Sequence, residues 1–338
     1  MVLIQNYGLA IFFCVIACIC WGSWANTQKM AAKTWRFELF YWDMVIGIVI
    51  VCTLAAFTLG SFGSDGRSFK TDLETADFKS IGFAILGGAL WNLGTLLLVA
   101  AISVAGMSIA FPIGGGIAWI LGTIINYIII VSGGEVASQK PTMLWIGVII
   151  IILAIAISSI IYKRISKIRK KPSFVGIALS VIAGCIIAFF YGFVVKSIDP
   201  AYIPGSTGNL TPYTALFFFS IGVMVSTFLF NPIFMAKPVE GKPVTMNMYF
   251  KGTLKEHISG ILGGMIWCMG MVVSFMAVGA ANPAIAYALS NAAPVVAMLW
   301  GIFVWKEFKD ADRKTNRLIV TMFLLYIVGL LLITFSNI

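Results

Sequence analysis

Asp43, in the stretch Glu38-Leu-Phe-Tyr41-Trp-Asp43, is an acidic residue standing inside a long apolar run. It lies a turn and a half from the start of that run, roughly 7.5 Å at the rise of an α-helix. A partly desolvated carboxyl at that depth can exchange a proton, with Tyr41 or Trp21 as hydrogen-bond donors; it is also shallow enough to meet water or Arg36. Glu38 and Glu307 mark the ends of apolar runs and read as solvated or paired with nearby bases. Neutral polar groups occur deeper. Tyr287, Ser290, Asn291 and Pro294 keep the i, i+3, i+4, i+7 spacing of one helix face, with Asn291 roughly 14 Å in. Gly88, Trp91, Asn92 and Thr95 form a second face of this kind, with Asn92 at similar depth. Two polar faces at mid-membrane describe either the lining of one central pocket or amide bonds between neighbouring helices. Trp21, Trp91 and Trp267 offer flat apolar surface that could stack on a sugar ring or a heterocycle, whereas Trp24 reads as an interfacial anchor.

What is missing narrows the chemistry. No Lys or Arg stands mid-run, so a phosphate, nucleotide or dicarboxylate would find no countercharge, and a neutral polar solute is expected. The sole histidine, His257, opens an apolar run. No metal-binding His/Glu pair, Ser/His/Asp set or phosphate loop is present, so neither a catalytic group, a metal nor a cofactor is expected, and a membrane enzyme fits poorly.

The elements that must hold these groups follow from composition. Of 338 residues, 60% are hydrophobic and 11% charged, which excludes a soluble single-core protein. Runs long enough to cross a bilayer cover residues 7–27, 39–60, 80–101, 107–131, 142–162, 174–195, 213–234, 258–278, 283–305 and 317–335. The expected fold is therefore all-α and polytopic, with ten spans. The first run lacks a basic lead and a small-residue cleavage site, so it reads as a span and not as a cleaved signal. Six cysteines all fall in apolar runs and read as small membrane residues.

The net charge of +10 would suggest nucleic acid in a soluble chain, but its placement gives topology instead. Loops 1/2, 5/6, 7/8 and 9/10 hold 18 of the 23 Lys and Arg residues, which puts those loops in the cytoplasm and both termini outside a cell (inner) membrane. The run Lys163 to Lys171 is part of that signal. No nucleic-acid partner is expected; the partners would be the bilayer, a solute and protons, and nothing requires more than a monomer.

Residues 85–112 and 261–288 align without gaps at an offset of 176, with ten identities in 28 positions, Trp91 on Trp267 and Gly94 on Gly270 among them. This divides the chain into a first five-helix repeat (1–162), a basic linker (163–172) and a second repeat (173–338). Because five is odd, the second repeat enters the membrane from the opposite side, the inverted arrangement used for alternating access. The halves differ chemically. Where span 9 carries Tyr287, Ser290 and Asn291, span 4 carries Phe111, Gly114 and Gly115 after Pro112, a stretch suited either to a broken helix or to close packing through small residues.

Taken together, Cys20-Trp-Gly-Ser-Trp24, Glu38 to Asp43, Trp91-Asn-Leu-Gly94, Ala105-Gly-Met-Ser-Ile109 and Leu289 to Glu307 resemble the ureide permease family. That family is similar to the bacterial glucose/ribose porters and rhamnose–proton symporters of the drug/metabolite transporter superfamily. The resemblance implies a cavity between spans 1–4 and 6–9, peripheral spans 5 and 10, and proton-driven uptake of ureides, nucleobases or sugars. It also implies a functional role for Tyr41 and Asp43, which match the family's Tyr-x-Asp pattern. The short linker departs from the long central loop of plant members. The expectation is a proton-coupled importer binding its solute through Trp21, Tyr41, Trp91, Asn92, Thr95, Trp267, Tyr287, Ser290 and Asn291. An exporter of hydrophobic compounds and an uncoupled facilitator are the alternatives; a membrane sensor would need a soluble domain, and the loops are too short for one.

Overall fold

The computed structural model describes residues 1–31, 35–63, 65–105, 107–134, 136–165, 174–199, 208–239, 241–306, 308–309 and 311–338. Most of the linker at 163–172, and Glu307, lie outside the described residues. Backbone polar groups in hydrocarbon must be satisfied within the segment, so the apolar runs become helices. Among the described residues, ten helices are long and apolar enough to span: Tyr7–Gln28, Phe37–Phe57, Phe78–Ile102, Ile113–Ser132, Pro141–Ile161, Phe174–Ser197, Pro212–Ala236, Leu254–Ala281, Pro283–Val304 and Arg313–Phe335, taken below as spans 1 to 10. Among the described residues there is no β-strand, only an isolated bridge between Ile198 and Leu210. Local chemistry sets the starts. Thr211 caps span 7 with Pro212 in its first turn, Asp312 caps span 10, and Thr253 with Glu256 forms a reciprocal capping box on span 8.

Span 4 corrects one expectation. The helix Met107–Ser132 runs unbroken through Pro112, Gly114 and Gly115. Pro112 lies in the second turn of that helix, where it forgoes one backbone bond without interrupting the helix, and Gly114 serves packing: a Cβ there would meet Leu98 and the Ser180 carbonyl. The interruption is in span 9. Its first helix ends at Ser290, residues 291–293 leave the helix, and the chain resumes as Pro294–Leu299 followed by a π-helical turn at Trp300–Val304. Pro294 has no N–H to give the Ser290 carbonyl, which is the physical cause of the break.

The spans pair in a regular way. Span 2 packs on span 8 and span 3 on span 7; span 1 packs on spans 8 and 9, span 6 on spans 3 and 4, and span 5 on span 10. Glycines bring the first two pairs into backbone contact. A Cβ on Gly47 would strike the Ile261 carbonyl and one on Gly264 that of Met44; at the other crossing Gly222 faces the Ile85 carbonyl and Gly88 that of Phe219.

At the end bearing loops 2/3 and 6/7, Arg67 is buried between two carboxylates. Its guanidinium pairs with Asp72 and with Asp199, the latter at 2.8 Å, and donates to the Asn209 carbonyl, while Asp72 accepts from the Thr211 N–H at 2.7 Å. Removing the cation alone would strand two buried anions, a loss of about 3–5 kcal/mol. Arg67→Met is therefore expected to lower the unfolding midpoint of the detergent-solubilised protein sharply, whereas a surface change such as Lys70→Met should leave it in place.

Candidate functional site

Spans 3 and 8 carry the centre of the molecule. Trp91 and Trp267 each stand at the middle of a 28-residue helix, and their rings meet with centroids 4.0 Å apart. Trp21 stacks on Trp267 at 6.2 Å and donates its indole N–H to the Trp267 carbonyl at 3.0 Å. These three rings form one side of a cavity of about 170 Å³. Thr95, Asn291 and Gly115 also line it, as do Trp24, Trp119, Ser158 and Tyr326. None of its lining residues is charged. Its residues run from the middle of the bundle towards the ends that bear the Lys- and Arg-rich loops. Towards the opposite end, Tyr191 packs on Phe275 at 4.4 Å and on Tyr287 at 5.0 Å, all three buried. Beyond these rings lies a second cavity of about 200 Å³ beside Lys196 and Asn282.

The expected binding set divides. Trp21, Trp91, Thr95, Trp267 and Asn291 reach the central cavity, with Asn291 exposed to it by the break in span 9. Tyr41, Asn92, Tyr287 and Ser290 do not. The Tyr41 hydroxyl donates to Asn92 Oδ1 at 2.5 Å, and the Asn92 amide donates to Ser226 at 2.7 Å, so this amide joins spans 2, 3 and 7. Tyr287 lies on Gly122 and donates to the Ala118 carbonyl at 2.8 Å, while Trp119 returns a bond to the Ala288 carbonyl at 3.1 Å. Ser290 is buried against Cys14. Periodicity placed Asn92 and Tyr287 at the right depth, but in a low-dielectric interior the nearest helix supplies their partners first, whereas the Ser290 hydroxyl is buried without one among the described residues. Three lining features were not foreseen: Trp24 serves the cavity and not only the interface, Trp119 belongs to it, and spans 5 and 10 close one wall through Ile151, Ile155, Ser158 and Tyr326.

Asp43 sits apart from the cavity, at the crossing of spans 2 and 8, with its Cβ against Gly260. Its partners are neither Tyr41, Trp21 nor Arg36. Tyr249, on the short helix Met246–Phe250, donates to Oδ1 at 2.6 Å, and His257 Nδ1 lies 3.0 Å from both carboxylate oxygens. Arg36 instead pairs with Glu38. The Trp35 ring covers the group, 5.3 Å from the His257 ring and 6.2 Å from that of Tyr249. Burial first, then the carboxylate, push the Tyr249 phenol above its ordinary value, so it stays a donor.

A bundle of ten spans around an uncharged aromatic cavity is the architecture of a membrane carrier of small solutes, not of an enzyme. The chain matches the family described as Ureide permease over residues 40–166 and 162–336, and it belongs to that family. It is 24% identical to Ureide permease 1 of Arabidopsis thaliana, over 100% of this chain and 99% of that protein. It is 26% identical to a probable glucose uptake protein, GlcU, of Staphylococcus aureus strain N315, over 69% of this chain and 71% of that one. A crystal structure with 13% sequence identity superposes with a TM-score of 0.62, covering 96% of this chain and 97% of its own, a likeness of fold alone.

Proposed function

We propose that this protein couples the inward movement of protons to uptake of a small neutral polar metabolite, a ureide or purine-derived compound or a sugar, by alternating access of two inverted five-span repeats (1–162 and 173–338). The observation that carries this reading is the central cavity: tryptophan faces for stacking, one amide and three hydroxyl residues for orientation, and no charge among the lining residues. At about 170 Å³ it is smaller than the roughly 300–1,000 Å³ of pockets that hold drug-sized ligands. An exporter of hydrophobic compounds would want a Met- and Phe-rich cavity; here no Met and only Phe190 take part. The names of the relatives, ureide permeases and a probable glucose uptake protein, fit both solute classes.

The inverted repeat is supported by the glycine crossings. Ile85 and Ile261, and Gly88 and Gly264, are related by the same offset of 176 as Trp91 and Trp267, and each pair makes equivalent backbone contacts. The two repeats then meet at Trp91 and Trp267, where rocking about the site would open it to either side in turn. Asp43 is the proton carrier in this scheme.

Proteoliposomes loaded with a pH-sensitive dye test the scheme directly. With acid outside, allantoin, uracil, glucose, ribose or rhamnose is added singly, and internal acidification is compared with that of empty vesicles. Acidification with one of them is the expected result and names its class. Equilibration of labelled solute with no pH change would leave an uncoupled facilitator, and no flux with any would favour the exporter.

A further inference from the structure

We propose that His257 is the relay through which the proton on Asp43 passes to and from water at the end of the bundle bearing the Lys- and Arg-rich loops. This rests on the reading of Asp43 as proton carrier. The Asp43 side chain is only 2% exposed, whereas that of His257 is 23% exposed. The imidazole therefore touches the sealed carboxylate through Nδ1 while the side chain as a whole is partly open to solvent. Gly252 packs beside Nε2, and its lack of a side chain leaves that nitrogen uncovered, because a Cβ there would press on Nε2 and on the Trp35 ring.

The other titratable and charged groups around the pair are engaged elsewhere or cannot substitute. Tyr249 is a fixed donor to Oδ1. Glu256, the neighbour of His257, accepts from the Thr253 N–H and hydroxyl. Arg36 and Glu38 hold one another, and Lys251 and Lys255 are exposed. Imidazole is the side chain suited to passing protons near neutral pH.

Each transfer balances in atoms and charge, with one reset of the ring for every proton released. The protonated Asp43 gives its O–H proton to Nδ1 of a ring carrying hydrogen on Nε2, and the imidazolium gives the Nε2 proton to water. A neutral ring with hydrogen on Nδ1 remains, donating to the carboxylate; a half-turn of the ring then brings its bare nitrogen to Asp43 for the next proton, and uptake from water runs the same transfers in reverse. Because Asp43 and His257 lie on spans 2 and 8, the relay joins the two repeats, and their relative movement would make or break it.

The test compares wild type, His257→Ala and Asp43→Asn in proteoliposomes with labelled allantoin or glucose, whichever the wild type carries. Accumulation driven by a pH gradient and solute counterflow, which needs no net proton release, are measured in parallel, with and without free imidazole in the buffer. His257→Ala is expected to slow accumulation about tenfold or more, to keep counterflow, and to recover in imidazole. Gly252→Ala, which covers Nε2 without removing the ring, should slow accumulation in the same sense. Wild-type accumulation by His257→Ala overturns the relay while leaving Asp43 as carrier if Asp43→Asn is still uncoupled. Loss of both accumulation and counterflow without imidazole rescue also overturns it, since the residue would then be structural. Full accumulation by Asp43→Asn removes the reading beneath it.

Discussion

In vesicles, the Asp43→Asn protein is expected to equilibrate its solute yet never to concentrate it, whatever pH gradient is imposed. The substitution is conservative in shape. An asparagine oxygen still accepts from Tyr249, and the residue still fits against Gly260, so the crossing of spans 2 and 8 should survive. What is lost is the exchangeable proton. A gradient of about one pH unit supplies about 1.4 kcal/mol per proton, enough for a tenfold accumulation ratio; without the carboxyl that ratio should fall to one. Counterflow should persist, because exchange can proceed through the central cavity without a net proton step. The cavity and Asp43 are separate, but both touch span 8, which presents His257 to the carboxylate and Trp267 to the cavity. A shift of that helix is thus felt at both places, the differential contact that coupling requires. Retained accumulation in this variant would take Asp43 out of the mechanism.

Much of the architecture was legible because membrane constraints act on composition. Hydrocarbon demands about 20 apolar residues per helix, so the ten runs declared themselves, and the match of Trp91 with Trp267 led to the centre of the bundle. Side-chain partners were less legible. Periodicity gives the depth and face of Asn92 and Tyr287, but not which helix lies opposite, and both turn out to be tied to a neighbour. His257 was passed over because its partner is 214 residues away and no local pattern links them. The break in span 9 was in the sequence as Pro294 well inside a run. Pro112 and its glycines drew the expectation instead, since glycine tolerates irregular backbone as readily as it allows close packing. Trp119 had a weaker signal, a lone indole in an aliphatic helix, which in a membrane interior needs a partner for its N–H and often marks a cavity edge.

The glycine crossings permit a test of the repeat itself. Gly88→Leu and Gly264→Leu are each expected to lower recovery of monodisperse protein sharply, and to about the same extent. At both positions the obstacle is a backbone carbonyl on the facing helix, Phe219 in one case and Met44 in the other, and backbone cannot swing aside as a flexible side chain can. Overpacking of a core commonly costs about 1–3 kcal/mol, and separating two helices already in backbone contact should reach the top of that range or beyond. Against a total stability of about 5–15 kcal/mol, either change would remove a large share of the margin. Gly82 supplies the control: it lies on the same helix as Gly88, but a Cβ there meets nothing within 4 Å, so Gly82→Leu should be recovered like the wild type. If loss at Gly88 and Gly264 is equal while Gly82 is silent, the two crossings bear the same load, as equivalent parts of a duplicated unit must. A large effect at one and none at the other would mean that the shared spacing is sequence coincidence, and that the halves do not move as matched bodies about the paired tryptophans.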